Sequence, residues 1–417
     1  MNLRNGINLN ILKTKQFKTV KIIIRFETTL TQTILAKRAL ISALLEKNNH
    51  DYPSNQNFQE HLESLYGAQF SVSVEKKGQL HCLSLNLTLL NADYTGQEQL
   101  LDEGINLLNS IIFKPNAANG HFDNTTFDLE KKNLIQYLEN IVEDNDYYAE
   151  LQLKRLFFQT PEYSLPTLST AALIEKETTQ SVFDYYQEML ENDSIEILIC
   201  GDVDENTVRQ AFTAFPFNSR SVQDLSCFVD EGVSQTIREQ SEQKEVAQSI
   251  LNIGYYIPAT LADSEYFALQ VFNGLFGGFS HSKLFQNIRE KESLAYYISS
   301  TIDPLRHFLF VGTGIEKNNR TYVLKLIHQQ LKEIQRGNFS DEEIKQTIIM
   351  LKNIYQQGLD SQKVLLERAY LSRKIPQLLS DTAWLNSLNQ VTKQEIINIA
   401  NQVKLQAIYF LEGGSNA

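Results

Sequence analysis

One order of signals runs twice along the chain, and this recurrence constrains the fold more than any single segment. In the first half the β-branched run "TVKIIIRF" (19 to 26) predicts a strand. From about Gln32 to Lys47, Ile34, Leu35, Leu40, Ile41, Leu44 and Leu45 recur at near-helical spacing. "YPSNQNFQEHLESLYG" predicts a turn, a cap at Ser54 or Asn55, a short helix and a stop at Gly67. The alternating stretch "AQFSVSVEKKGQLHCLSLNLTLL" predicts a hairpin turning near Lys76 to Gln79. Helices at about 97 to 112 and 124 to 158 and the strand "SIEILICGDV" (194 to 203) close the series. The second half repeats it with the strand "VAQSILNIGYYI", the helix "SEYFALQVFNGLFGG", the helix-to-strand stretch "SHSKLFQNIREKESLAYYISSTI", its neighbour "HFLFVGTGI" and two helices from 321 onward. "FDLEKKNLI" (127 to 135) echoes "FSDEEIKQTII" (339 to 349), each opening a long helix.

A chain of 417 residues exceeds what one core sustains, so two domains of roughly 200 residues are expected. The aperiodic stretch around 215 to 244 sets them at 1–218 and 241–417, with a linker at 219–240. Helices on one face of a mostly antiparallel sheet make each half α+β. Fifty acidic against thirty-eight basic residues give a net charge of -12, which argues against binding nucleic acid or an anionic membrane. Cys82, Cys200 and Cys227 are far apart and read as reduced, buried thiols. With no leader-like N-terminus and no run of 18 apolar residues, the expectation is a cytoplasmic protein that does not insert into membranes.

The pair Glu60-His61 raises the question of metal. Zinc peptidases commonly place two imidazoles one helical turn apart, with a carboxylate to deprotonate the metal-bound water. In the inverted motif HxxEH the histidines stand at i and i+4 and the base at i+3. Here the stretch is "NFQEH", and Asn57 is a poor substitute for a histidine. None of the seven histidines has another four residues away. His61 either belongs to an irregular site, with Glu60 or His81, or is polar surface.

The order of elements, together with "YPSN", "ILICGDVD" and "LFGGFSHSKLFQNIREKESLAYYISS", resembles the insulinase/pitrilysin family of processing peptidases over nearly the whole length. Anchoring on "YPS" places that family's HxxEH on "ALISA", with Ala39 and Ala43 at the histidine positions and Ser42 at the base. The third ligand, a glutamate, maps to Tyr137, or to Gln136 one register away. The resemblance therefore implies a LuxS/processing-peptidase-like fold without metal of its own.

It also implies that Arg289 and Tyr296, in "REKESLAY", match the arginine and tyrosine that hold substrate and stabilise the oxyanion in the family. Their chemistry suits the task, since a guanidinium and a phenol both donate to developing negative charge. Without the resemblance, the favoured reading is Arg289 as a partner of Glu290, Glu292 or another surface carboxylate, and Tyr296 as a half-buried strand residue. Gly277 and Gly278, with Gly274, either line a peptide path or only end a helix. Family members assemble four such domains, in one chain or in paired half-length chains. This chain is similar to the silent partner of such a pair, a catalytically inactive subunit of a heterodimeric zinc metallopeptidase, its zinc held by a half-length HxxEH-bearing paralogue and its substrate a peptide or protein. More narrowly it is similar to non-catalytic subunits of low-GC Gram-positive bacteria, some linked to 5-aminopentanol modification of elongation factor P. The competing expectations are a metal-free peptide-binding or scaffolding homodimer, and an autonomous metallopeptidase with an irregular site.

Overall fold

The computed structural model describes residues 2–221, 225–377 and 379–414. Along the chain the strands are β1 (Asn2–Arg4), β2 (Ile7–Lys13), β3 (Thr19–Thr29), β4 (Gln69–Lys77), β5 (Leu80–Leu90), β6 (Ser194–Gly201), β7 (Arg238–Lys244), β8 (Ser249–Tyr256), β9 (Ala295–Asp303), β10 (Phe308–Ile315) and β11 (Lys404–Gly413). The helices used below are α1 (Gln32–Leu45), α2 (Asn55–Ser64), α3 (Leu100–Phe113), α4 (Asn124–Ile141), α5 (Asn145–Phe157), α6 (Thr179–Asn192), α7 (Arg320–Gln335), α8 (Asp341–Gly358) and α9 (Gln362–Lys374). The chain forms two compact units. The first comprises Met1–Asn140, Leu165–Cys227 and Leu359–Arg373, and the second Ile141–Ser164, Phe228–Gly358 and Lys374–Ala417.

In the first unit six strands lie in the order β1-β2-β6-β3-β5-β4, antiparallel except for the β2–β6 pair. Strand alternation explains its two faces. Val20, Ile22, Ile24 and Phe26 of β3 point into the main core with residues of α1, α3 and α6, while Ile23 points the other way, into a smaller cluster with Leu198, Cys200, Leu366 and Tyr370. The second unit has five strands in the order β9-β10-β8-β11-β7, with only β11–β7 parallel. Its core joins β8, β10 and β11 to the helices around α7 and α8. Each unit is thus α+β with a helical layer on one sheet face, as expected, and each carries one further helix on the opposite face. That helix is α9 in the first unit and α5 in the second.

Several differences from the sequence reading have local causes. β2 pairs beside β6, yet Asn8 and Asn10 between Ile7, Leu9 and Ile11 mask it as polar sequence. The long helix expected over 124–158 is two helices, because Asp144 accepts from the backbone N–H groups of Asp146 and Tyr147 and so caps a new start. β7 begins inside the expected linker, and residues 222–224 of that linker lie outside the described residues.

The contact of α9 with its sheet is charged. Glu367 receives Arg25 at 2.9 Å and Lys77 at 2.5 Å, and Glu75 lies 2.8 Å from the same Arg25. Burial works against the Glu367 charge, but Arg25 and Lys77 outweigh it and hold the carboxyl below the ordinary glutamate range. A carboxyl depressed in the folded state contributes stability above its unfolded pKa of about 4.3 and loses it as the pH falls through the lower folded value. Urea midpoints measured from neutral pH downward should therefore fall on an acid limb that Glu367→Gln makes shallower. An unchanged limb would mean that Glu367 does not carry the acid loss.

Candidate functional site

The stretch onto which the resemblance maps the metal motif lies in the regular helix α1. α1 is buried on most sides, including Leu35, Ala36, Ala39, Leu40, Ile41, Leu44 and Leu45. Arg38 fixes it to the sheet: one guanidinium nitrogen lies 2.5 Å from Asp193 and 3.2 Å from the Tyr185 hydroxyl, and the other donates to the Phe26 carbonyl at 2.6 Å. The next residue, Ala39, is 1% exposed, so a methyl fills the space where a ligand side chain would stand. Ser42 is also buried and donates its hydroxyl to the Ala39 carbonyl at 2.8 Å. Ala43 is half-buried, and Tyr137 on α4 is 50% exposed, with Gln136 exposed beside it.

Zinc needs about four donors from imidazole, thiolate or carboxylate groups. These positions offer two methyls, a hydroxyl already engaged with backbone and a phenol in solvent, so the residues present do not fit the ion. Among the described residues no group of three His, Cys, Asp or Glu is placed to hold a metal. Elsewhere His61 stacks on Tyr52 with ring centroids 4.2 Å apart, Glu60 accepts from Gln56, and His81 is buried with Nε2 3.3 Å from the Thr167 carbonyl. Burial and the nearby Arg38 hold the His81 imidazole well below its usual pKa, hence neutral.

The second unit presents Arg289 and Tyr296 differently. Arg289 lies on a wide π-helical turn, Phe285–Lys291, with its guanidinium 4.6 Å from the centre of the Phe285 ring, and it is exposed. Tyr296, at the start of β9, is 60% exposed and donates to Glu316 at 2.6 Å. That bond raises the phenol above its ordinary pKa, so the group remains a protonated donor at neutral pH. Tyr322 on α7 reaches Glu292 at 3.5 Å, so two phenol–carboxylate contacts link the segments 292–296 and 316–322. Glu316 and Glu292 were not legible as partners, because contacts between distant segments leave no local spacing.

The glycines have packing work here. A Cβ at Gly277 would stand 2.6 Å from Ser300 Oγ, and one at Gly274 would stand 2.4 Å from Thr347 Cγ2. Both are buried where a second π-helical turn, Gly274–Gly278, meets β9 and α8. Gly278 is exposed, yet a Cβ there would stand 3.0 Å from Asn273 Nδ2 and 3.1 Å from the Asn273 backbone oxygen. Lys283 pairs with Glu343 at 2.7 Å and His281 meets Thr347 at 2.8 Å, tying the segment to α8.

Known proteins agree with this geometry. Residues 176–351 match the family described as the peptidase M16 inactive domain. The chain is 32% identical over 415 residues to the probable inactive metalloprotease YmfF of Bacillus subtilis, covering 99% of this chain and 97% of that protein. The crystal structure of a conserved protein from Enterococcus faecalis V583 is 42% identical, with a TM-score of 0.96 over 100% of this chain and 99% of that one. The peptidase M16 inactive domain from Pseudomonas fluorescens shares the fold at a TM-score of 0.80 and 14% identity, over 98% of this chain and 97% of that one. The chain belongs to the M16 peptidase family. Within it, this is an inactive metalloprotease homologue.

Proposed function

We propose that this protein is the non-catalytic subunit of a heterodimeric zinc metallopeptidase of the cytoplasm, completing the peptide-binding chamber of a half-length HxxEH-bearing partner. The observation that carries this reading is the contrast between the two units. The metal helix has lost its donors while keeping its fold, whereas Arg289 and Tyr296 stand exposed, seven residues apart, with their donor chemistry intact. The partner supplies the metal-bound water, and this chain supplies peptide contacts and hydrogen-bond donors to the charge that develops on the scissile carbonyl. No helix among the described residues is long and apolar enough to cross a membrane.

Co-expression with a half-length relative bearing an intact HxxEH tests the proposal. The two should copurify in equal amounts, zinc should follow the partner alone, and peptide cleavage by the partner should rise when this chain is added. Extended-peptide binding by this chain as a homodimer, with no effect on any HxxEH-bearing relative, would favour the scaffolding reading instead. Stoichiometric tight zinc on the isolated chain would revive the autonomous enzyme.

A further inference from the structure

We propose that the second unit carries a binding site for a small organic carboxylate, in a narrow cleft at the end of its sheet away from Tyr296. The cleft measures about 310 Å³ including its open mouth, near the lower limit for small-molecule sites. It is lined by Phe157 at the end of α5, Arg238 at the start of β7, Tyr256 at the end of β8, Arg306 and His307 in the turn after β9, and Gln406 on β11. Tyr296 stands at the opposite end of β9, so the cleft is not part of the surface assigned to peptide cleavage.

Arg238 decides the ligand class. It is half-buried, and its guanidinium has no hydrogen-bond or ion-pair partner among the described residues. A half-buried cation without a counter-charge carries a desolvation cost that a bound anion offsets. Arg306 lines the same cleft and is fixed in place, with Nε donating to Asp303 at 2.6 Å and the guanidinium 5.3 Å from the centre of the Phe158 ring. The one carboxylate of the lining, Glu231, is already engaged by the backbone N–H groups of Gln159 and Thr160, each at 2.8 Å. Two arginines thus face a single occupied carboxylate, in a chain whose net charge is -12. That local excess of positive charge favours an oxyanion.

The walls favour a flat one. His307 Nδ1 lies 2.8 Å from the Ile257 carbonyl, so this nitrogen carries a proton, and the ring stacks on Tyr256 with the planes 3° apart and the centroids 5.2 Å apart. The rim is held as well, because the Ser234 N–H donates to Gln406 Oε1 at 2.6 Å and the Val229 N–H to the Leu305 carbonyl at 2.8 Å. A guanidinium fork matches a planar carboxylate with two parallel hydrogen bonds, and the narrow space between rings accepts a slim apolar body behind it.

The test uses the full chain alone, with no partner peptidase, so its outcome is separate from that of the pairing. Benzoate, hexanoate, phenyl phosphate and the uncharged benzamide are titrated and followed by calorimetry. Benzoate or hexanoate should bind at one site with a Kd at or below about 1 mM, the range suited to so small a ligand. Arg238→Gln should weaken that binding at least about tenfold while leaving the thermal midpoint in place, since Arg238 has no partner to lose. Should the midpoint fall, Arg238→Lys asks the same question by keeping the charge and removing the fork, and an unchanged Kd for it counts against the proposal equally. Absence of saturable binding by both carboxylates overturns the site, as does an unchanged Kd in Arg238→Gln. Tighter binding of phenyl phosphate than of benzoate overturns the carboxylate assignment in favour of a phosphate ester, and equal binding of benzamide overturns the role of charge.

Discussion

Replacing Arg38 by alanine is expected to destabilise the protein by about 3–5 kcal/mol. The side chain is fully buried, and its charge is matched by a single carboxylate, Asp193, itself nearly inaccessible. Truncation removes the cation, leaves that carboxylate buried beside the Tyr185 hydroxyl, and frees the Phe26 carbonyl that Arg38 had satisfied. Arg220 offsets only part of this: its charge lies close enough to favour the Asp193 carboxylate, but its guanidinium bonds the Asp193 backbone carbonyl. Removing both charges together, as Arg38→Met with Asp193→Asn, should recover much of the loss, since the pair's desolvation cost disappears with its attraction. Urea midpoints followed by circular dichroism decide the matter. A shift below about 1 kcal/mol for the alanine variant would mean that the pair holds nothing in place.

Arg38 also shows which parts of the molecule can be read from sequence. A lone arginine in the apolar run "LAKRALISALL" signals a buried partner, but Asp193 lies 155 positions further on and no local pattern connects them. The strands and helices with strong period, β3, α1, the β4–β5 hairpin and β6, were legible because each buries one regular face. Ser54 as a helix cap was legible for the same local reason, and its hydroxyl does accept from Asn57. The exchange of α5 and α9 was not. Their patterns declare amphipathic helices without saying which sheet receives them, and the receiving residues Ile23 and Tyr409 belong to the opposite half of the sequence. The register with "YPS" is what assigns the metal-motif positions to Ala39, Ser42 and Ala43. The structure adds the physical reason that the loss is tolerated, since a buried methyl packs where an unpaired imidazole would cost desolvation.

In a complex with an active half-length partner, Arg289→Ala should lower turnover by about 10²–10³-fold while copurification is unchanged, the loss typical of removing one oxyanion donor. Arg289 is exposed and its guanidinium rests on the Phe285 ring of its own turn, so truncation should leave the fold intact. Tyr296→Phe removes the other donor and keeps the ring. If the phenol acts in the transition state, kcat falls with little change in KM, whereas a purely binding role raises KM alone. Glu316 distinguishes the two further. It accepts a hydrogen bond from the Tyr296 hydroxyl, so the phenol must exchange this carboxylate for the substrate oxygen before it can donate there. Glu316→Gln weakens the competing acceptor and should raise kcat in the wild-type background, yet have no effect in the Tyr296→Phe background. Equal cleavage rates for wild type, Arg289→Ala and Tyr296→Phe, with assembly demonstrated in each, would remove this surface from the reaction.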